Sequence, residues 1–191
     1  MILTITSLIR TFLSTEEIKQ IEKTFFKLSN WANFSNNVSI LTCDSLEELA
    51  QKTKVPSLPA WVIATNQGTC VFLLKPTHWP KKKEYSVTQI CIHELTHVII
   101  NNAIQNCPLW LNEGLACFYA NQISTIINNN TLTINPYNAT YDNGLYSISG
   151  KTIWLLMKKY GEAFILNRIK SSSNIRTDDI LGYNALNNLI K

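Results

Sequence analysis

From Ser86 to about Asn106 the chain carries a helical pattern with almost no polar face. Ile90, Ile92, Leu95, Val98, Ile99 and Ile100 point in most directions around any helix drawn through it. A helix that is apolar all round has to be buried on every side, so other elements must wrap it. The same stretch nevertheless contains His93, Glu94 and His97. Buried polar groups need partners. The segment therefore constrains the fold twice, through its burial and through whatever satisfies those three side chains.

The five residues read His93-Glu94-Leu95-Thr96-His97, an H-E-x-x-H pattern. On an α-helix, residues i and i+4 lie about 40° apart around the axis and about 6 Å along it. Both imidazoles leave one face and can converge on one Zn2+ at about 2.0–2.1 Å each. Glu94 lies about 100° around from His93. It is poorly placed to join the same inner shell and well placed to reach a water on the metal. The composition matters here, because histidine is scarce. Three histidines and nine glutamates in 191 residues lead to about 0.002 chance matches, treating positions as independent. The alternative is two core histidines satisfied by main-chain groups, with Glu94 paired to a lysine.

A catalytic zinc takes a third protein ligand and leaves the fourth position to water. The remaining histidine, His78, lies in a Pro-flanked basic loop and makes a poor rigid ligand. Glu113 is the better candidate. It is the only acid between positions 95 and 141, in Pro108-Leu-Trp110-Leu-Asn-Glu113-Gly-Leu-Ala116, which opens a second helix. Two antiparallel helices joined by a turn would return Glu113 to the two histidines, and Gly114 permits close helix approach. A solvent-facing carboxylate near a helix N-terminus is the alternative. Trp110, Leu111, Leu115 and Phe118 around it weigh against that.

The rest of the chain reads as strands first and helices later. Ser14-Thr-Glu-Glu17 is a capping box opening a helix to about Leu28, with Ile18, Ile21, Phe25 and Leu28 on one face. Val38–Cys43 reads as a strand, and Asp44 or Ser45 caps a short helix to about Lys52. Ala60–Thr65 and Thr69–Leu74 flank Asn66-Gln-Gly68 as a hairpin. Pro76 and Pro80 mark a loop with His78, Trp79 and Lys81–Lys83. Pro108 opens a helix to about Gln122, and residues 124–145 form a loop or weak hairpin around Asn128–Asn130. Helices follow at roughly 147–159, 161–170 and 177–190. The fold class is α+β: one domain over residues 1–191, with an α/β lobe at 1–106 and a mainly helical lobe at 107–191.

Composition removes several function classes. A charged fraction of 16% argues against a disordered chain. A net charge of +4, dispersed apart from Lys81–Lys83, does not indicate nucleic acid. The lack of an 18-residue apolar run excludes a membrane span. Met1–Arg10 is apolar but has no positive n-region and no small-residue cleavage site, so it reads as a strand or helix start. Five cysteines, odd in number and without a C-x-x-C pair, suggest reduced thiols in a cytoplasmic compartment. Oligomeric state is not legible.

Taken together, His93-Glu-Leu-Thr-His97 and Pro108-x-Trp-x-x-Glu113-Gly-x-Ala116 resemble the gluzincin (MA-clan) zinc metallopeptidases, specifically the small peptidase MA-like family. The resemblance is carried by residues 90–120. It extends weakly to the 60–74 hairpin and to Tyr146-Ser-x-Ser149 leading into Trp154–Gly161. It implies a zincin-like fold with helices packed on the active-site helix and one zinc held by His93, His97 and Glu113. It also implies a peptide or protein substrate and Glu94 as the catalytic base. Tyr146 would assist the developing oxyanion, with Tyr141 and Tyr137 as nearby alternatives, an ordinary tyrosine being the bland reading of each. In related enzymes an edge strand pairs with the extended substrate, a part Thr69–Leu74 could play. Cys117 reads as a small buried hydrophobe. Two other functions compete: a non-catalytic binding or regulatory module on the same fold, and a helical protein with a chance motif.

Overall fold

The apolar residues Val38, Ile40 and Cys43 of the extended segment Val38–Cys43 are buried, and that segment is strand β2, paired on both sides within a sheet. The computed structural model describes residues 1–80, 85–123 and 134–189. Within them, β1 (Leu3–Ile5), β2 (Val38–Cys43), β3 (Ala64–Gln67) and β4 (Cys70–Leu74) form a mixed sheet in the order β1-β2-β4-β3. β2 runs parallel to β1 and to β4, while β3 is antiparallel to β4. Helices α1 (Ser7–Arg10), α2 (Thr15–Ala32) and α3 (Leu46–Thr53) occupy the connections. Downstream are α4 (Val87–Ala103), α5 (Leu109–Tyr119), α6 (Leu145–Tyr160), α7 (Glu162–Ser171) and α8 (Tyr183–Asn187). A four-stranded mixed sheet near the start and a helical C-terminal part make the fold mixed α and β.

By contacts the chain divides into two units, Met1–Ile99 and Ile100–Lys191, and the division falls inside α4. In the first unit, α2 begins with the expected capping box. Ser14 N–H donates to Glu17 Oε2 at 2.8 Å, and Glu17 N–H donates to Ser14 Oγ. The other oxygen of Glu17 accepts from Thr88 Oγ1 at 3.0 Å, tying the start of α2 to the start of α4. A second box starts α4: Gln89 N–H donates to Ser86 Oγ, and Ser86 N–H donates to Gln89 Oε1. Ser45, rather than Asp44, caps α3. Behind the sheet, Cys43, Leu49 and Phe72 form a buried cluster with Leu41, Leu46 and Val62 against it.

Several boundaries differ from the sequence reading, each for a local reason. α2 runs to Ala32 and α3 to Thr53, and both end in left-handed non-glycine residues, Asn33 and Lys54. Phe34 N–H then reaches Ser29 O, and Val55 N–H reaches Ala50 O, the six-to-one bond of a Schellman ending. α5 stops at Tyr119 in the same way, with Asn121 left-handed and Gln122 N–H on Cys117 O. The first hairpin strand is Ala64–Gln67, not 60–65. The turn is Gly68-Thr69 alone, and Gly68 at φ +58° supplies the positive φ that a tight turn needs at its first central position.

In the second unit α5 packs along α6. A Cβ on Gly114 would lie 2.6 Å from Ser149 O and 2.7 Å from Ile153 Cγ1, so the close approach that Gly114 permits is to α6. Asn112 Nδ2 donates to Asn101 Oδ1 at 2.8 Å across the turn before α5. The helix expected over 177–190 is replaced by a 3-10 turn at Ile175–Thr177 and the short α8. Asp178 Oδ1 caps a single turn by accepting from the N–H groups of Ile180 and Leu181, and Gly182 N–H closes it on Asp178 O; extended backbone at Gly182 then separates that turn from α8. The part of 124–145 that is described holds two 3-10 turns, Pro136–Asn138 and Tyr141–Asn143. Asn128–Asn130 and Lys81–Lys83 lie outside the described residues. No described helix is long and apolar enough to cross a membrane, and all five cysteines are free.

Candidate metal centre

Every residue of α4 from Ile90 to Ile100 is buried, as an all-round apolar helix requires. The polar members of this stretch are satisfied one by one. Thr96 returns its hydroxyl to Ile92 O at 2.8 Å within the helix. His93 and His97 turn towards each other: their Nε2 atoms are 3.0 Å apart, and the rings meet edge to face at 82°. Two lone pairs cannot face each other at that distance unaided. A proton or a cation must lie between them.

Two imidazole nitrogens bound tetrahedrally at about 2.0–2.1 Å stand about 3.3–3.4 Å apart. The observed 3.0 Å is within a few tenths of that. Glu113, on α5 and only 6% exposed, completes the group. One ligand atom from each of His93, His97 and Glu113 lies within 4.8 Å of the others. A nitrogen, nitrogen and carboxylate set suits a divalent transition metal, so these three buried side chains could hold a metal ion. His78 is not among them; it is exposed on the 3-10 turn Pro76–His78.

Glu94 projects from α4 apart from that trio and is 8% exposed. Its Oε2 accepts from Asn66 Nδ2 at 3.1 Å. Asn66 lies on β3, one of the two edge strands of the sheet. Thr69–Leu74, the candidate for substrate pairing, is instead mostly β4, held between β2 and β3. Hairpin geometry orients the edge. Gln67 closes the two-residue turn opposite Cys70, and Ile63 O accepts from Leu74 N–H. Residues 63, 65 and 67 thus bond inwards to β4, while the main-chain groups of Ala64 and Asn66 face out.

The tyrosines separate. Tyr141 Oη donates to Glu113 Oε1 at 3.2 Å. Tyr146, in the first turn of α6, places its ring 5.6 Å from that of Tyr141. Tyr137 belongs elsewhere: its hydroxyl lies 3.1 Å from Ile175 O and from Leu181 O, and its ring packs against Trp110. Its role is structural. Cys117 is buried, and burial together with the Glu113 charge pushes its thiol well up, so it stays protonated and packs as an apolar group.

Neither a family model nor a curated protein matches the chain. What the site can do follows from its own side chains. The sequence singled out His93, Glu94, His97 and Glu113, and the geometry groups three of them as potential ligands. It offered no sign of Asn66, which reads as a turn residue 28 positions before its partner.

Proposed function

We propose that the chain is a zinc-dependent metallopeptidase of the gluzincin type that hydrolyses peptide bonds with Glu94 as general base. The observation that carries this reading is the arrangement on α4. Two imidazole nitrogens converge to 3.0 Å, Glu113 lies within ligand range, and a fourth buried polar group, Glu94, stands beside the trio without belonging to it. His93, His97 and Glu113 would hold one Zn2+ per chain. Zinc bound there supplies Lewis acidity, lowering the pKa of a water and polarising a carbonyl oxygen.

The chain's own groups carry the remaining chemistry. Glu94 takes the proton of the attacking water and passes it to the leaving amine nitrogen. The outward N–H and C=O groups of Ala64 and Asn66 on β3 pair with an extended peptide or protein substrate. Tyr146 donates to the developing oxyanion, and Tyr141 steadies Glu113. Five free cysteines support a reducing compartment such as the cytoplasm.

Metal analysis of untagged protein should give about one equivalent of zinc; less than about half would overturn the assignment. Glu94→Gln should abolish cleavage of a peptide library while zinc content holds, because the base is not a ligand. Equal cleavage by wild type and Glu94→Gln would remove Glu94 from the mechanism. Zinc retained without cleavage by the wild type would favour a non-catalytic binding module.

A further inference from the structure

We propose that Asn66 is a positioning residue for Glu94, an inference that rests on the reading of Glu94 as general base. Asn66 Nδ2 stands 3.1 Å from Glu94 Oε2. A carboxylate oxygen accepts only, so the amide must present its N–H to it. Among the described residues, no other hydrogen bond reaches that carboxylate. With this bond, one oxygen is tethered and the other is left to receive a proton.

The tether is rigid at its far end. Asn66 is paired with Val71 in the β3–β4 ladder, one residue from the Gly68-Thr69 turn that fixes the register. Its main-chain groups face out at the sheet edge, so the residue that would register a bound peptide also holds the base. A misplacement of about 1 Å in a catalytic group is enough to lower a rate about 100-fold. The bland alternative is that Asn66 only fastens β3 to α4, which would show in stability and leave turnover alone.

The test uses the full zinc-loaded chain and a peptide found by library screening. Steady-state kcat and KM, zinc content and thermal midpoint are measured for Asn66→Ala, Asn66→Asp and Asn66→Gln. Asn66→Asp keeps the side-chain shape and removes both N–H donors, so it serves if Asn66→Ala fails to fold. The expected result is a fall in kcat of about 10- to 100-fold for Ala and Asp. KM should stay within about threefold, with zinc unchanged and partial recovery of kcat in Asn66→Gln, which keeps a donor. The proposal falls, and the peptidase reading stands, if Glu94→Gln is inactive while the Asn66 variants keep wild-type kcat per zinc-loaded molecule. Both fall together if wild type and Glu94→Gln hydrolyse the peptide equally.

Discussion

The hydroxyl of Tyr141 donates to Oε1 of Glu113, 28 residues earlier in the chain, at 3.2 Å. The tyrosine is 51% exposed and the glutamate 6%, so a surface ring reaches a buried carboxylate. The 3-10 turn Tyr141–Asn143 that presents the ring is anchored by Thr140 and Asn143 capping each other. A carboxylate that binds metal with one oxygen is commonly oriented by a hydrogen bond to its surroundings. Tyr141→Phe removes that donor and keeps the ring. Zinc affinity should fall about 10- to 100-fold, read by competition with a chromophoric chelator, and the thermal midpoint of the metal-free protein should barely move.

Zinc should stabilise the fold, since an ion that binds only the native site adds its binding free energy to folding. At 100 times the dissociation constant this is about 2.7 kcal/mol, or roughly 5–10 °C in Tm for a chain of this size. His97→Ala and Glu113→Ala should lose most of that rise. Differential scanning fluorimetry with and without zinc measures it; an equal rise in all three proteins would point to binding elsewhere.

Gly114→Ala tests the contact between α5 and α6. The added methyl would meet Ser149 O at 2.6 Å and Ile153 Cγ1 at 2.7 Å. One of these is main chain, so the helices must separate. The cost should be about 1–3 kcal/mol, lowering Tm by roughly 2–4 °C for each kcal/mol. Urea unfolding of the variant beside the wild type checks this. An unchanged midpoint would mean that the helix pair relaxes freely.

Asp178 gives the C-terminal segment an acid-sensitive hold. Burial works against its ionisation. The N–H groups of Leu181 and Ile180, the Ser172 hydroxyl and Arg168 outweigh that, so its carboxyl stays below the ordinary range. A depressed folded pKa contributes stability that is present above the unfolded value of about 3.9 and is lost as pH falls through the folded value. Asp178→Asn should therefore be less stable than wild type at pH 7 by about 1–3 kcal/mol. The gap should narrow below about pH 4. Denaturant midpoints from pH 7 down to pH 3 would show this, and a constant gap would rule it out.

Much of the layout was legible because its signals are local. Ser14 with Glu17, and the apolar residues of Val38–Cys43, each specify an element from within a few residues, and the structure places both as read. The helix ends were less legible. Asn33, Lys54 and Asn121 turn left-handed where glycine is the usual signal, and nothing in their neighbours marks them. The stretch 177–190 has helical spacing, but the backbone is extended at Gly182, which ends the turn that Asp178 caps and starts α8 afresh.

By itself the sequence determined that α4 is buried and that two imidazoles leave one face of it four residues apart. Both follow from a 3.6-residue period and from side-chain polarity, which are properties of a segment. Only the tertiary structure decided which hairpin strand lies at the sheet edge, that Asn66 meets Glu94, and that Tyr141 rather than Tyr137 reaches Glu113. Those partners are 28 residues apart in each case. Their meeting depends on how strands order and helices pack, which no local periodicity encodes.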